Sequence, residues 1–364
     1  MTQSAFPSRF ANWPGWAAAA VLVLLALAMA YGVAVVQPEL HPGSPAPQAA
    51  DGQGGADMLL YNRVVVGMRG GAHYYPAAAD ALRAGGFPLQ PFLAFRLPTL
   101  ATLLATLPPL AARALLMGLA LAVIALWSRR IAPVFPRPPQ RAIGAALVLC
   151  GVIVAAQPSL IVFHEIWAAL LIALSLGLRT GDRWRASVVA GLCAVLIRET
   201  AIAYVLAMAV LALFDRRPRE AIAWGAVIAV FALYLAWHAG QVAAVVHPGD
   251  PSSPGWKALG GWPAFISAMR LTTPLLQFPS WVTALLVPAA LLGWAGWRTP
   301  AAWRCFATLS GYALMIMLFA RPDNFYWGLL IAPLLLLGLM FAPAALADLL
   351  RALRPLDSGT AARQ

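Results

Sequence analysis

Acidic residues are scarce in this chain, thirteen in 364, so each one outside an apolar run can be weighed singly. Asp57 stands just ahead of the apolar run Met58 to Tyr61. A carboxylate there either caps a helix by accepting a backbone N–H or, fixed near a membrane surface, takes the proton of an acceptor hydroxyl as a general base. Asp80 lies three residues before Arg83, the spacing of a surface ion pair on a short helix. Asp51 sits in a Gly-rich connector and is expected to be solvated.

Arg198 and Glu199 interrupt an otherwise hydrophobic stretch. Charges at membrane depth are costly and are found paired, facing a bundle interior or a water-filled cavity. Two readings stay open: an ion pair within a helix turn, or a guanidinium that grips a lipid-linked phosphate through bidentate hydrogen bonds. His164 and Glu165 form a second polar pair, either polar caps at the end of a span or partners of Arg198 across the bundle. A third group is the connector from Arg321 through Pro322, Asp323, Asn324, Phe325 and Tyr326 to Trp327. Its aromatic residues suit a membrane interface, whereas Arg321 runs against the positive-inside bias. The histidines at 41, 73, 164, 238 and 247 have no close ligand spacing, so neither a metal nor another cofactor is expected.

The elements that must position these residues are membrane spans. The chain is 62% hydrophobic and 10% charged, and its apolar runs match the roughly twenty residues a helix needs to cross a bilayer. Arginines cluster between the runs, as at 129, 130, 137 and 141 or at 216, 217 and 219. That is the pattern of cytoplasmic loops, and it argues against a nucleic-acid partner. Cys150, Cys193 and Cys305 lie far apart inside apolar runs and read as packing residues.

The stretch from 186 to 214 has basic clusters at both ends and Arg198-Glu199-Thr200 in the middle. Two short spans, each about 20 Å of helix, put both clusters on one side. The whole chain then reads as one all-α polytopic transmembrane domain over 1–364, a bundle of about ten helices with both termini cytoplasmic. Nearly all of the net charge of +12 falls on the cytoplasmic side in this arrangement. Residues 38–108 form a long first periplasmic loop: a helix from Asp57 ended by Gly70-Gly71, a second over 76–84, and an interfacial helix over 97–107. Residues 239–280 form a second periplasmic loop with a surface helix over 264–271. A single last span is expected over 326–349.

Taken together, these features resemble the GT-C superfamily, multi-spanning glycosyltransferases that take sugars from polyprenyl-phosphate carriers. The likeness is strongest to the glycosyltransferase family 87, protein mannosyltransferase and aminoarabinose transferase groups. It rests on Asp57 early in the first loop, Tyr61, Gly70-Gly71, Tyr74-Tyr75, Phe95-Arg96-Leu97-Pro98, and the Leu107-Pro108 turn into the second span. It rests also on the Arg198-Glu199-Thr200 turn, the Arg321 to Tyr326 connector and Pro333. The chain departs from the pattern in having no second acid beside Asp57.

The resemblance implies an inner-membrane enzyme with Asp57 as the base on the acceptor and Arg198 and Arg321 on the carrier phosphate. Glu199, His164, Glu165, Tyr61, Arg96 and Tyr326 would be further substrate-binding candidates. Its partners would be a polyprenyl-phosphate-linked sugar donor and membrane lipids. A transporter or flippase, with its polar site near the midplane, is the alternative. A non-catalytic membrane assembly protein using the long loop for docking is the third.

Overall fold

In a computed structural model, residues 7–35, 48–255 and 258–353 are described, the side chains of 48–54 excepted. Asp51 therefore lies outside the described side chains. The described residues are helical, with two isolated β-bridges and no strand.

The helices in chain order are α1 (Gly15–Val35), α2 (Gln48–Arg69), α3 (Tyr74–Ala84), α4 (Pro98–Thr106) and α5 (Pro109–Ile131). Next come α6 (Pro138–Val152), α7 (His164–Leu178), α8 (Arg185–Ile197), α9 (Ile202–Phe214) and α10 (Pro218–Ala243). The last five are α11 (Gly261–Thr272), α12 (Ser280–Gly296), α13 (Pro300–Phe319), α14 (Ala332–Leu335) and α15 (Ala342–Ala352). Proline opens α4, α5, α6, α10 and α13, where its missing N–H costs nothing. Gly71 and Gly86, both at positive φ, turn the chain after α2 and α3.

Among the described residues five helices are long and apolar enough to cross a bilayer: α1, α5, α6 with its 3-10 extension to Ala156, α10 and α13. A sixth candidate is the pair Pro322–Leu330 and Ala332–Met340, bent by 55°. Helices α7, α8, α9 and α12 are apolar but shorter. This is a membrane-protein architecture, with fewer full-length spans than the expected ten.

Two expectations need correction. Asp57 does not open a helix, since α2 starts nine residues earlier and carries Asp57 in its interior. Capping is therefore not its role, because every N–H there has an intrahelical acceptor. The expected single span over 326–349 is instead broken at Ile331 and Phe341. The break at Phe341 follows from close packing: a Cβ on Gly338 would collide with the Ala290 carbonyl, and one on Gly293 of α12 with the Gly338 carbonyl. The chain there is pressed against α12 backbone to backbone.

The 186–214 stretch folds as a hairpin of α8 and α9 with Arg198 at the turn. Its two open ends meet, Arg217 Nη1 lying 3.0 Å from Asp182 and Arg179 bonding Glu220 at 2.8 and 3.1 Å. α7 packs along α8, α5 and residues 322–330, so the start of α7, the hairpin turn and the 321–327 connector converge at one end of the bundle. The loop segments cover that end. Arg83 of α3 holds Asp250 with two hydrogen bonds of 2.8 and 2.9 Å, and Leu89 N and Ser253 N bond across between the two loops. The expected Asp80–Arg83 pair is stretched to 3.9 Å, and Asp80 is exposed.

Candidate functional site

The converging segments enclose a cavity of about 900 Å³. α2 contributes Asp57 and Tyr61, the extended segment before α4 contributes Arg96, the hairpin turn contributes Arg198, Glu199 and Thr200, and the connector contributes Arg321, Asp323, Asn324 and Tyr326. Seven of the nine residues singled out from sequence line this one space. The other two, His164 and Glu165, begin α7 directly behind it.

Asp57 and Tyr61 are four apart on α2, so helical spacing aims both at the cavity. Asp57 is half-buried and makes no hydrogen bond or ion pair with any described residue. Burial pushes its carboxyl up to about 6, against the pull of the nearby Arg96 guanidinium. A carboxylate poised near neutral pH, open to a cavity and free of partners, is suited to accept a proton.

Arg96 is fixed by neutral groups. Its Nε donates to Tyr61 Oη at 2.8 Å and its Nη2 to Tyr326 Oη at 3.2 Å, with Glu199 farther off at 3.6 Å. Asn324 Nδ2 donates in turn to Tyr326 Oη at 3.3 Å, and Tyr74 Oη to the Arg96 carbonyl at 2.5 Å. Phenols orient the guanidinium without cancelling its charge.

The other two arginines are held by acids. Arg198, 1% exposed, lies 2.7 Å from Glu165 and also contacts Glu199. Arg321 forms a bidentate pair with Asp323 at 2.7 and 3.0 Å and donates to the Gly255 carbonyl. Of the three, Arg96 retains the most uncompensated charge.

His164 is buried with its ring edge-to-face to Tyr61, centroids 5.3 Å apart, and helps hold α2 against α7. Among the described residues no cluster of three or more His, Cys, Asp or Glu could hold a metal ion.

The sequence names Asp323 and Asn324 only as members of the connector and gives no sign of the apolar wall of Leu82, Phe87, Pro88, Leu93, Met315 and Phe319. The wall carries no sequence signal, because apolar residues in a membrane protein are the background. Three buried polar atoms of lining residues have no hydrogen-bond partner among the described residues: Glu199 Oε2, Thr200 Oγ1 and Trp327 Nε1. Each of these atoms is itself shielded from the cavity, behind the lining surface of its residue.

Comparison with protein-family models, with curated proteins and with solved structures gives no match.

Proposed function

We propose that the chain is a membrane glycosyltransferase that moves a sugar from a polyprenyl-phosphate carrier to an acceptor hydroxyl, within a bundle that counts the short helices α7, α8, α9 and α12 as spans. The observation that carries this reading is the cavity itself. It places an unpartnered carboxylate near neutral pKa beside an arginine held by tyrosines, next to an apolar wall, at the end of a membrane bundle.

In the proposed step Asp57 accepts the acceptor's proton as its oxygen attacks the anomeric carbon. The bond from that carbon to the phosphate oxygen breaks, and the electron pair leaves with the polyprenyl phosphate. Arg96 is the principal group facing the developing phosphate charge, with Arg198 behind it. Arg321 would have to share itself with Asp323, so it is a lesser contributor. Thr200, Asn324 and Trp327 line the space the sugar would occupy. The apolar wall takes the first isoprene units.

The test is transfer of labelled sugar from polyprenyl phosphate by proteoliposomes holding the full chain. Asp57→Asn is expected to slow transfer by about 10²- to 10⁴-fold, the usual contribution of a general base. Unchanged transfer would remove Asp57 from that role.

The transporter reading has one observation in its favour. The helical stretches are broken at two places, Arg198 and Ile331, as discontinuous helices are in transporters. Movement of the lipid-linked sugar across the liposome with no covalent product would favour it.

A further inference from the structure

At the opposite end of α7 and α8 from the cavity, a cleft of about 450 Å³ opens between the last turn of α5, the end of α7 and the start of α8. Arg129, Arg130, Arg183 and Arg185 line it, and no acidic residue does. Leu126 and Leu178 give it apolar lining beside the arginines.

Arginines are common at this end, and three near the cleft have counter-ions. Arg217 holds Asp182, Arg304 holds Asp215, and Arg179 holds Glu220. Those pairs use up the nearby carboxylates. Arg129, Arg183 and Arg185 have no acidic partner among the described residues, and Arg130 spends its donors on the carbonyls of Gly177 and Arg179. α8 also begins in the cleft with no acid in its first turn and no side-chain cap, which adds partial positive charge. Four guanidiniums therefore converge on one space, uncompensated, beside an apolar lining.

We infer that this cleft binds the phosphate headgroup of an anionic membrane lipid, with an acyl chain along Leu126 and Leu178. The apolar lining and the position at the end of the bundle select a lipid over a free anion, and clustered arginines at a membrane surface attract such headgroups. The inference does not depend on the chemistry of the cavity.

Its test uses the purified full chain in detergent, titrated with phosphatidylglycerol or phosphatidylcholine and read by retained lipid in native mass spectrometry and by thermal midpoint. Selective retention of phosphatidylglycerol is expected, together with a rise in midpoint. Arg129→Gln/Arg183→Gln/Arg185→Gln should weaken retention by on the order of tenfold or more. A control triple, Arg137→Gln/Arg141→Gln/Arg219→Gln, removes the same charge from exposed positions elsewhere and should change retention less than about twofold. Ala186→Trp fills the cleft with all charges kept, and should also abolish selective retention. Equal losses in both triples would overturn the inference, as would full retention in Ala186→Trp. So would an equal rise in midpoint with inorganic phosphate, which would mark a free-anion site.

Discussion

Replacing Asp57 by Asn should make the folded protein more stable at pH 7.5 while it destroys transfer. Asp57 has its carboxyl raised from 3.8 to about 6 by burial, so the folded state holds its proton more tightly than the unfolded chain does. Below about pH 3 the group is neutral in both states and costs nothing. As pH rises from about 4 to about 6 the unfolded chain ionises first and the folded state loses stability, by roughly 1 to 3 kcal/mol in all. Asp57→Asn removes that loss. Thermal midpoints of the two proteins should coincide at about pH 3 and separate at pH 7.5, with the variant higher. Transfer by the unsubstituted protein should rise through a midpoint near pH 6, because the base must be ionised. A midpoint near 4 would mean that the carboxylate is solvated and ordinary. Asp57 could be picked out in the sequence because acids are few, but its environment could not. The Gly-rich segment around it reads as a connector, whereas α2 passes straight through Gly52, Gly54 and Gly55. The packed face of Leu60, Val64 and Val65 anchors the helix, and propagation from a formed helix is cheap enough to cross glycines.

The α8–α9 hairpin turns on a buried ion pair, and that makes its stability sensitive to single changes more than to paired ones. Glu165→Gln leaves Arg198 buried with Glu199 as its remaining acid, and should lower stability by about 3 kcal/mol. Glu165→Leu combined with Arg198→Met removes the desolvated charge as well, and should restore part of that loss. Thermal melts of the single and double variants check the ordering; a double variant worse than the single would refute it. The loop tie behaves differently because it is part-buried and joins two loops rather than crossing the bundle. Arg83→Ala frees Asp250, whose carboxyl the guanidinium holds down at about 2, so the tie persists at neutral pH and lapses only as pH falls from about 4 toward 2. Limited proteolysis at pH 7 should cut faster between 245 and 255 in Arg83→Ala, with the thermal midpoint nearly unchanged. The hairpin was legible in the sequence: two basic clusters cannot flank one span, and charges inside an apolar run mark its break. The Arg83–Asp250 tie was not, because 167 residues separate the partners and nothing local selects Asp250 over Asp80. The bend at Ile331 was only partly legible, since Pro333 marks it locally whereas Gly151 of α6, pressed on the Ala332 carbonyl, comes from across the bundle.

At the scale of the molecule, two polar sites sit at opposite ends of the same short helices. α8 has thirteen residues, about 20 Å, between Arg185 in the basic cleft and Ile197 beside the cavity. A bilayer core is about 30 Å thick, so charges at both ends of α8 and α9 draw the two surfaces toward each other or admit water to the turn. On the proposed function, that geometry would set the transfer step below the membrane surface, with the lipid-linked sugar entering along the apolar wall and an aqueous acceptor entering through the loops. On the same reading, the charge bias predicts that the basic cleft faces the cytoplasm and that the cavity with its loop cover faces the periplasm. In a chain with Cys150, Cys193 and Cys305 replaced by Ala, Ser252→Cys marks the loop end and Asp182→Cys the basic end, both at exposed positions. A membrane-impermeant maleimide should label Ser252→Cys on intact cells and Asp182→Cys only after permeabilisation. Labelling in the reverse order would place the cavity in the cytoplasm, where nucleotide-activated sugars compete as donors, and would remove the reason to invoke a lipid carrier. Labelling of both from one side would mean that the α8–α9 hairpin does not cross the membrane, and the cavity would then be a surface pocket rather than one reached from the bilayer.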